Sequence, residues 1–122
     1  MTKWQPISLN ELNKEIQKTE HKLEGELLNF WKLIKIEPIK WAEKDFGEEG
    51  GGFWVVAICG TKVIWFNDIE EGFNISEYKI FGQIDEYLCN QDELRFALIR
   101  LFNVLKFGVE LNGQRGKPEN ME

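Results

Sequence analysis

Two short runs, Phe53-Trp54-Val55-Val56-Ala57-Ile58 and Val63-Ile64-Trp65-Phe66, are apolar at every position, and only Cys59-Gly60-Thr61-Lys62 separates them. Both have strand length and strand composition, and Gly60 can take the positive φ that a tight hairpin requires. A strand wetted on one side would alternate apolar with polar residues. These do not alternate, so both faces of the hairpin need cover from helices, a second subunit or a partner.

The flanking sequence offers helices for that purpose. Ser8 followed three residues later by Glu11 fits a capping box, which satisfies orphan N–H groups at a helix start. Leu9, Leu12, Ile16, Leu23 and Leu27 recur at helical spacing, with Lys and Glu on the other face. Gly25 interrupts that pattern, so a break near Lys22–Gly25 or two successive helices is expected, with Phe30, Trp31 and Ile34 finishing the second. A last helix is expected from about Gln91 to Phe107, with Asn90 as N-cap. Its buried stripe would hold Leu94, Ala97, Leu98, Leu101, Phe102 and Leu105.

Further strands are expected over residues 32–42, where the period turns from helical to alternating, and over Glu77–Ile84, with Asn67–Ser76 as a loop. Pro38 cannot donate to a ladder, which puts the first of these at a sheet edge. The fold class is therefore α+β: an antiparallel sheet of three to five strands, an N-terminal helical segment, and a C-terminal helix packed on it. A chain of 122 residues with 43% hydrophobic residues supports one core, and 13% aromatics exclude a disordered chain. Residues 1–111 are expected to form the domain, and the aperiodic residues 112–122 a mobile tail.

No apolar run approaches the roughly 20 residues that a membrane-spanning helix needs. Met1–Pro6 lacks the apolar stretch of a secretory signal, and two cysteines cannot make a disulfide scaffold. A cytoplasmic location is the expectation.

The net charge of −6 is unevenly spread: residues 1–44 carry +1, residues 45–93 carry −9, and residues 94–122 carry +2. An acidic field of that kind disfavours nucleic acid and anionic lipid and favours a basic protein.

Little in the chain supports catalysis. His21 is the only histidine, without a neighbouring nucleophile, and Cys59 and Cys89 stand too far apart for zinc-ligand spacing. Gly50-Gly51-Gly52 leads into a strand, with no Gly-Lys-Ser/Thr opening a helix after it, so it is no phosphate loop. No cofactor is expected. The acids Asp68, Glu70 and Glu77, with Lys79 two residues beyond, leave open a small metal-dependent hydrolase or nuclease. A homodimeric scaffold, with the doubly apolar strands as its interface, is a further alternative.

The runs Gly50–Ile58, Val63–Asn74, Ile84–Tyr87 and Cys89–Leu94 resemble small acidic bacterial proteins of unassigned activity. These are similar in kind to immunity proteins of contact-dependent inhibition and other polymorphic toxin systems. The resemblance covers roughly residues 31–94 and implies a non-enzymatic inhibitor that binds and occludes a cognate toxin domain; it carries over no catalytic residue. The expected contacts are Glu48, Glu49, Asp68, Glu70 and Glu71, pairing with basic groups, and Phe73 as an apolar anchor.

Overall fold

The computed structural model describes residues 5–45 and 51–108. Helix α1 (Leu9–Glu20) starts where its capping box dictates: Glu11 N–H donates to Ser8 Oγ at 3.1 Å, and Ser8 N–H donates to Glu11 Oε1 at 3.2 Å. It buries Leu12 and Ile16. Gly25, at φ +64°, separates it from α2 (Gly25–Ile34), which buries Phe30, Trp31 and Ile34. The break falls where a residue without Cβ takes a left-handed conformation cheaply. Glu20 ties the two helices to the sheet, because its Oε2 accepts from Trp31 Nε1 at 2.8 Å and from Lys35 Nζ at 2.6 Å.

Strands β1 (Lys35–Trp41), β2 (Phe53–Cys59), β3 (Lys62–Asn67) and β4 (Gly72–Glu77) form one antiparallel sheet in the order β1-β2-β3-β4. Pro38 lies on the edge strand β1, as its missing donor requires. Helix α3 (Leu94–Phe107) follows the sheet.

Both faces are covered by the chain itself. On one face Val56, Ala57, Ile64, Phe66, Phe73 and Ile75 pack under residues of all three helices, including Leu12, Trp31, Leu98 and Leu101. On the other, Trp41, Phe53, Val55, Val63 and Trp65 pack under Ile84 and Leu88. A register shift between Val55 and Ala57 lets Val56 and Ala57 both face the helices, which strict alternation would forbid. The doubly apolar strands thus need no second subunit to leave water.

Three expectations are corrected. The last strand is Gly72–Glu77, and residues 78–84 make only one bridge, Gln83 to Ala42. Asn74 and Ser76 looked like loop residues, but both are buried on the face opposite the helices and hydrogen-bond to a distant segment. Second, α3 begins at Leu94 with Glu93 as N-cap and no side-chain cap bond. Asn90 instead donates its backbone N–H to Asn74 Oδ1 at 2.8 Å. Third, Leu105 is 57% exposed, because residues 105–108 leave the core. The tail at 112–122 lies outside the described residues. Among the described residues no helix is long and apolar enough to cross a membrane.

Candidate functional site: an acid-edged groove

Five acids of the middle third, Asp68, Glu70, Glu71, Asp92 and Glu93, gather around the β3–β4 turn, and Asn67 sets the shape of that turn. Its side chain is fully buried: Oδ1 accepts from the N–H groups of Ile69 (3.0 Å) and Glu70 (3.2 Å), and Nδ2 donates to the Leu88 carbonyl (3.0 Å). Glu71 then adopts φ +62°, and Gly72 brings β4 against Asn90 and Gln91. A Cβ at Gly72 would lie 2.3 Å from the Gln91 Cα, so no other residue fits without moving backbone. Phe73 N–H donates to the Asp92 carbonyl at 2.8 Å, and Asp92 and Glu93 come to rest beside the turn.

Asp68 reaches the other way. Its Oδ2 accepts from Ile7 N–H at 2.7 Å, while the Ile7 carbonyl accepts from Trp54 Nε1 at 3.1 Å. The segment before α1 is thereby pinned to the end of the sheet. Between that segment, α1 and the turn runs a groove of about 1230 Å³. Asp68, Glu71, Asp92 and Glu93 form its sheet-side edge, and Phe66, Phe73 and Leu94 contribute to its floor. Lys14, Lys18 and Lys22 stand along the α1 side, with Glu11 and Glu15. Asp92 is also ion-paired with Arg100.

The structure thus brings Asp68 and Glu71 together, with different roles. Asp68 is half-buried and bound to the backbone, whereas Glu71 is exposed. Glu70 does not line the groove. It acts on Tyr87: burial pushes that phenol up, a hydrogen bond with Asn67 opposes the rise, and the Glu70 carboxylate adds to it. Phe73 is only 3% exposed, because pairing with Phe66 turns it into the helix-side core, their rings 4.8 Å apart. It is therefore no surface anchor. Glu48 and Glu49 lie outside the described residues. Comparison of the chain with protein-family models, curated proteins and solved structures finds no match.

The carboxylates of the hydrolase alternative are not assembled. Asp68 and Glu77 sit at opposite ends of the β3–β4 hairpin, and Glu77 is held by Lys62 (2.7 Å) and Thr61 Oγ1 (2.9 Å). Among the described residues no group of three or more His, Cys, Asp or Glu lies close enough to hold a metal ion. Burial pushes the Cys59 thiol up, with Lys62 opposing; this is the reverse of what activates a nucleophile.

Sequence reasoning missed Asp92 and Glu93 as neighbours of the turn. The bridge that places them joins Phe73 to a residue far along the chain, and no local spacing signals it. The exposed aromatics Phe81, Phe96 and Phe107 are not among the groove's lining residues.

Proposed function

We propose that this protein is a non-enzymatic protein-binding inhibitor that neutralises a cognate bacterial toxin domain in the cytosol, with a basic segment of the toxin docking along the sheet-side edge of the groove. One observation carries the reading. Two chain segments far apart in sequence converge to set Asp68, Glu71, Asp92 and Glu93 along one concave edge, on a chain of net charge −6. Such a field steers a basic partner into contact, and the concavity excludes water from the few charge pairs that fix its register. Rim carboxylates act mainly on the association rate and its salt dependence.

Glu71→Lys with Glu93→Lys is the direct test, since both residues are exposed. The double variant should stay folded, its melting temperature lowered only a little because a cation at the N-cap of α3 opposes the helix dipole, yet lose protection of cells expressing the neighbouring toxin gene. Association of the wild type should slow as salt rises, and that of the variant much less. A folded variant that still binds and protects shows that the groove is not the recognition surface. A wild-type protein that protects against nothing encoded beside it overturns the inhibitor reading.

A further inference from the structure

Opposite charges face each other across the groove without meeting. Most of the charged groups that line it are already engaged. Glu11 closes its own capping box with Ser8, and Glu15 pairs with Lys18 at 3.3 Å. Asp68 accepts from Ile7 N–H, Asp92 is paired with Arg100, and His21 acts on Glu20, which does not line the groove. Four groups remain, all exposed: Lys14 and Lys22 on the α1 wall, and Glu71 and Glu93 on the sheet-side edge. Among the described residues the side chains of these four make no ion pair or hydrogen bond, and no ion pair crosses from one wall to the other. Lys14 and Lys22 are eight positions apart, about 12 Å along the helix axis.

A segment of one sign cannot use both walls. A purely basic one gains at Glu71 and Glu93 and is repelled at Lys14 and Lys22, and a purely acidic one meets the reverse. We propose that the groove selects a two-signed segment of its protein partner. Cations run along the side that meets Glu71 and Glu93, and two carboxylates about 12 Å apart run along the side that meets Lys14 and Lys22. The inference rests on the groove being the partner's docking site, and it adds the second wall to that site. Two opposed rows of charge fix the rotation of the bound segment as well as its register. Repulsion at the α1 wall also turns away proteins that are merely basic, so selectivity comes from the unfavourable contact as much as from the favourable one.

Titration of the isotope-labelled, full-length chain by NMR at low ionic strength tests it with three alanine-based helical peptides of one length. One carries two Glu eight positions apart on one side and Lys on the other, one carries Lys on both sides, and one carries Glu on both. The two-signed peptide should move amides on both walls and bind about tenfold tighter than either of the others. Lys14→Glu with Lys22→Glu should transfer the preference to the Lys-only peptide, and Glu71→Lys with Glu93→Lys to the Glu-only one; the spectra show that each variant is folded. Equal or tighter binding of the Lys-only peptide to the wild type, shifts confined to residues outside the groove, or a preference that neither reversal moves would overturn the proposal. In cells, Lys14→Glu with Lys22→Glu should weaken protection as Glu71→Lys with Glu93→Lys does. Protection kept or strengthened by the lysine reversal marks a partner that is merely basic, in which case this inference fails and the inhibitor reading stands. A wild type that protects against nothing overturns that reading, and the peptides still decide this one.

Discussion

The two faces of the sheet are closed by different physics. On the helix face, three amphipathic helices satisfy most of their own backbone hydrogen bonds and contribute apolar stripes, so packing holds most of the layer, with a few polar ties such as Glu20 to Trp31 and Lys35. On the opposite face the cover is a segment, residues 78–92, with no helix or ladder of its own. Its backbone groups still need partners once buried. Side chains on the sheet supply several of them: Asn67 binds the Leu88 carbonyl, Ser76 Oγ donates to the Glu86 carbonyl at 2.8 Å, and Asn74 binds both the N–H and C=O of Asn90. Trp65 completes the set by donating Nε1 to Ser76 Oγ at 2.9 Å. A stretch of chain without regular structure becomes a core layer when buried Asn and Ser side chains do the work of a neighbouring strand. The same struts hold residues 90–92 beside the β3–β4 turn and so help shape the groove.

The largest effects should come from emptying either face. Trp65→Ala should cost about 3–5 kcal/mol and Leu98→Ala about 2–5 kcal/mol in urea melts, through lost transfer energy and the cavity left behind. What separates them is locality. Trp65→Ala also removes the partner of Ser76, and hydrogen exchange should quicken first in residues 86–90; after Leu98→Ala it should quicken first in α3. Identical exchange patterns would mean that the faces unfold as one unit and the contrast has no energetic meaning.

A smaller loss, about 1–3 kcal/mol, is expected for Asn74→Ala, because both backbone groups of Asn90 lose a partner away from water. The Asn90 amide should exchange faster while those of α1 and α2 keep their protection. Unchanged exchange at Asn90 would show that apolar contacts alone hold the segment.

The smallest effects are in pH, and they divide between the faces. Burial pushes the Glu20 carboxyl up, but hydrogen bonds from Lys35 and Trp31 outweigh it and hold the group below its ordinary 4.5. A depressed carboxyl contributes stability above the unfolded value, which is lost as pH falls through the folded one. Acid should therefore weaken the helix layer, and Glu20→Gln should flatten that part of the profile. Tyr87, on the loop face, is raised above its ordinary 10.0, mainly by burial. Its contribution is complete below the unfolded value and disappears as pH rises through the folded one, so alkali should weaken the loop face, and Tyr87→Phe should remove that dependence. Melting curves of the two variants across pH measure both arms. An acid limb unchanged by Glu20→Gln would remove the helix-layer half of this division.

Much of the helix face was legible beforehand. The capping box at Ser8, the break at Gly25 and the burial of Leu94, Ala97, Leu98 and Leu101 all follow from spacing along a single element. The Phe53–Phe66 hairpin was equally plain from its composition, and so was its need for cover on both sides. The candidate site was legible only as a concentration of acids. Spacing gave no sign that Asp68 accepts from Ile7 N–H, that the Glu70 charge is felt at Tyr87, or that Phe73 is core.

The chain's own pattern therefore determined the helices, the central hairpin, the demand for two covered faces and the sign of the surface charge, because each depends on residues within a few positions of one another. Tertiary structure alone decided that Gly72–Glu77 is a strand, that residues 78–92 close the second face, and that Glu71 and Glu93 share a groove with α1. The reason is the nature of the polar struts. An asparagine in a loop and an asparagine buried under one look alike in a one-dimensional pattern. What distinguishes Asn74 is an N–H and a carbonyl sixteen residues away, which it meets only after the sheet has formed.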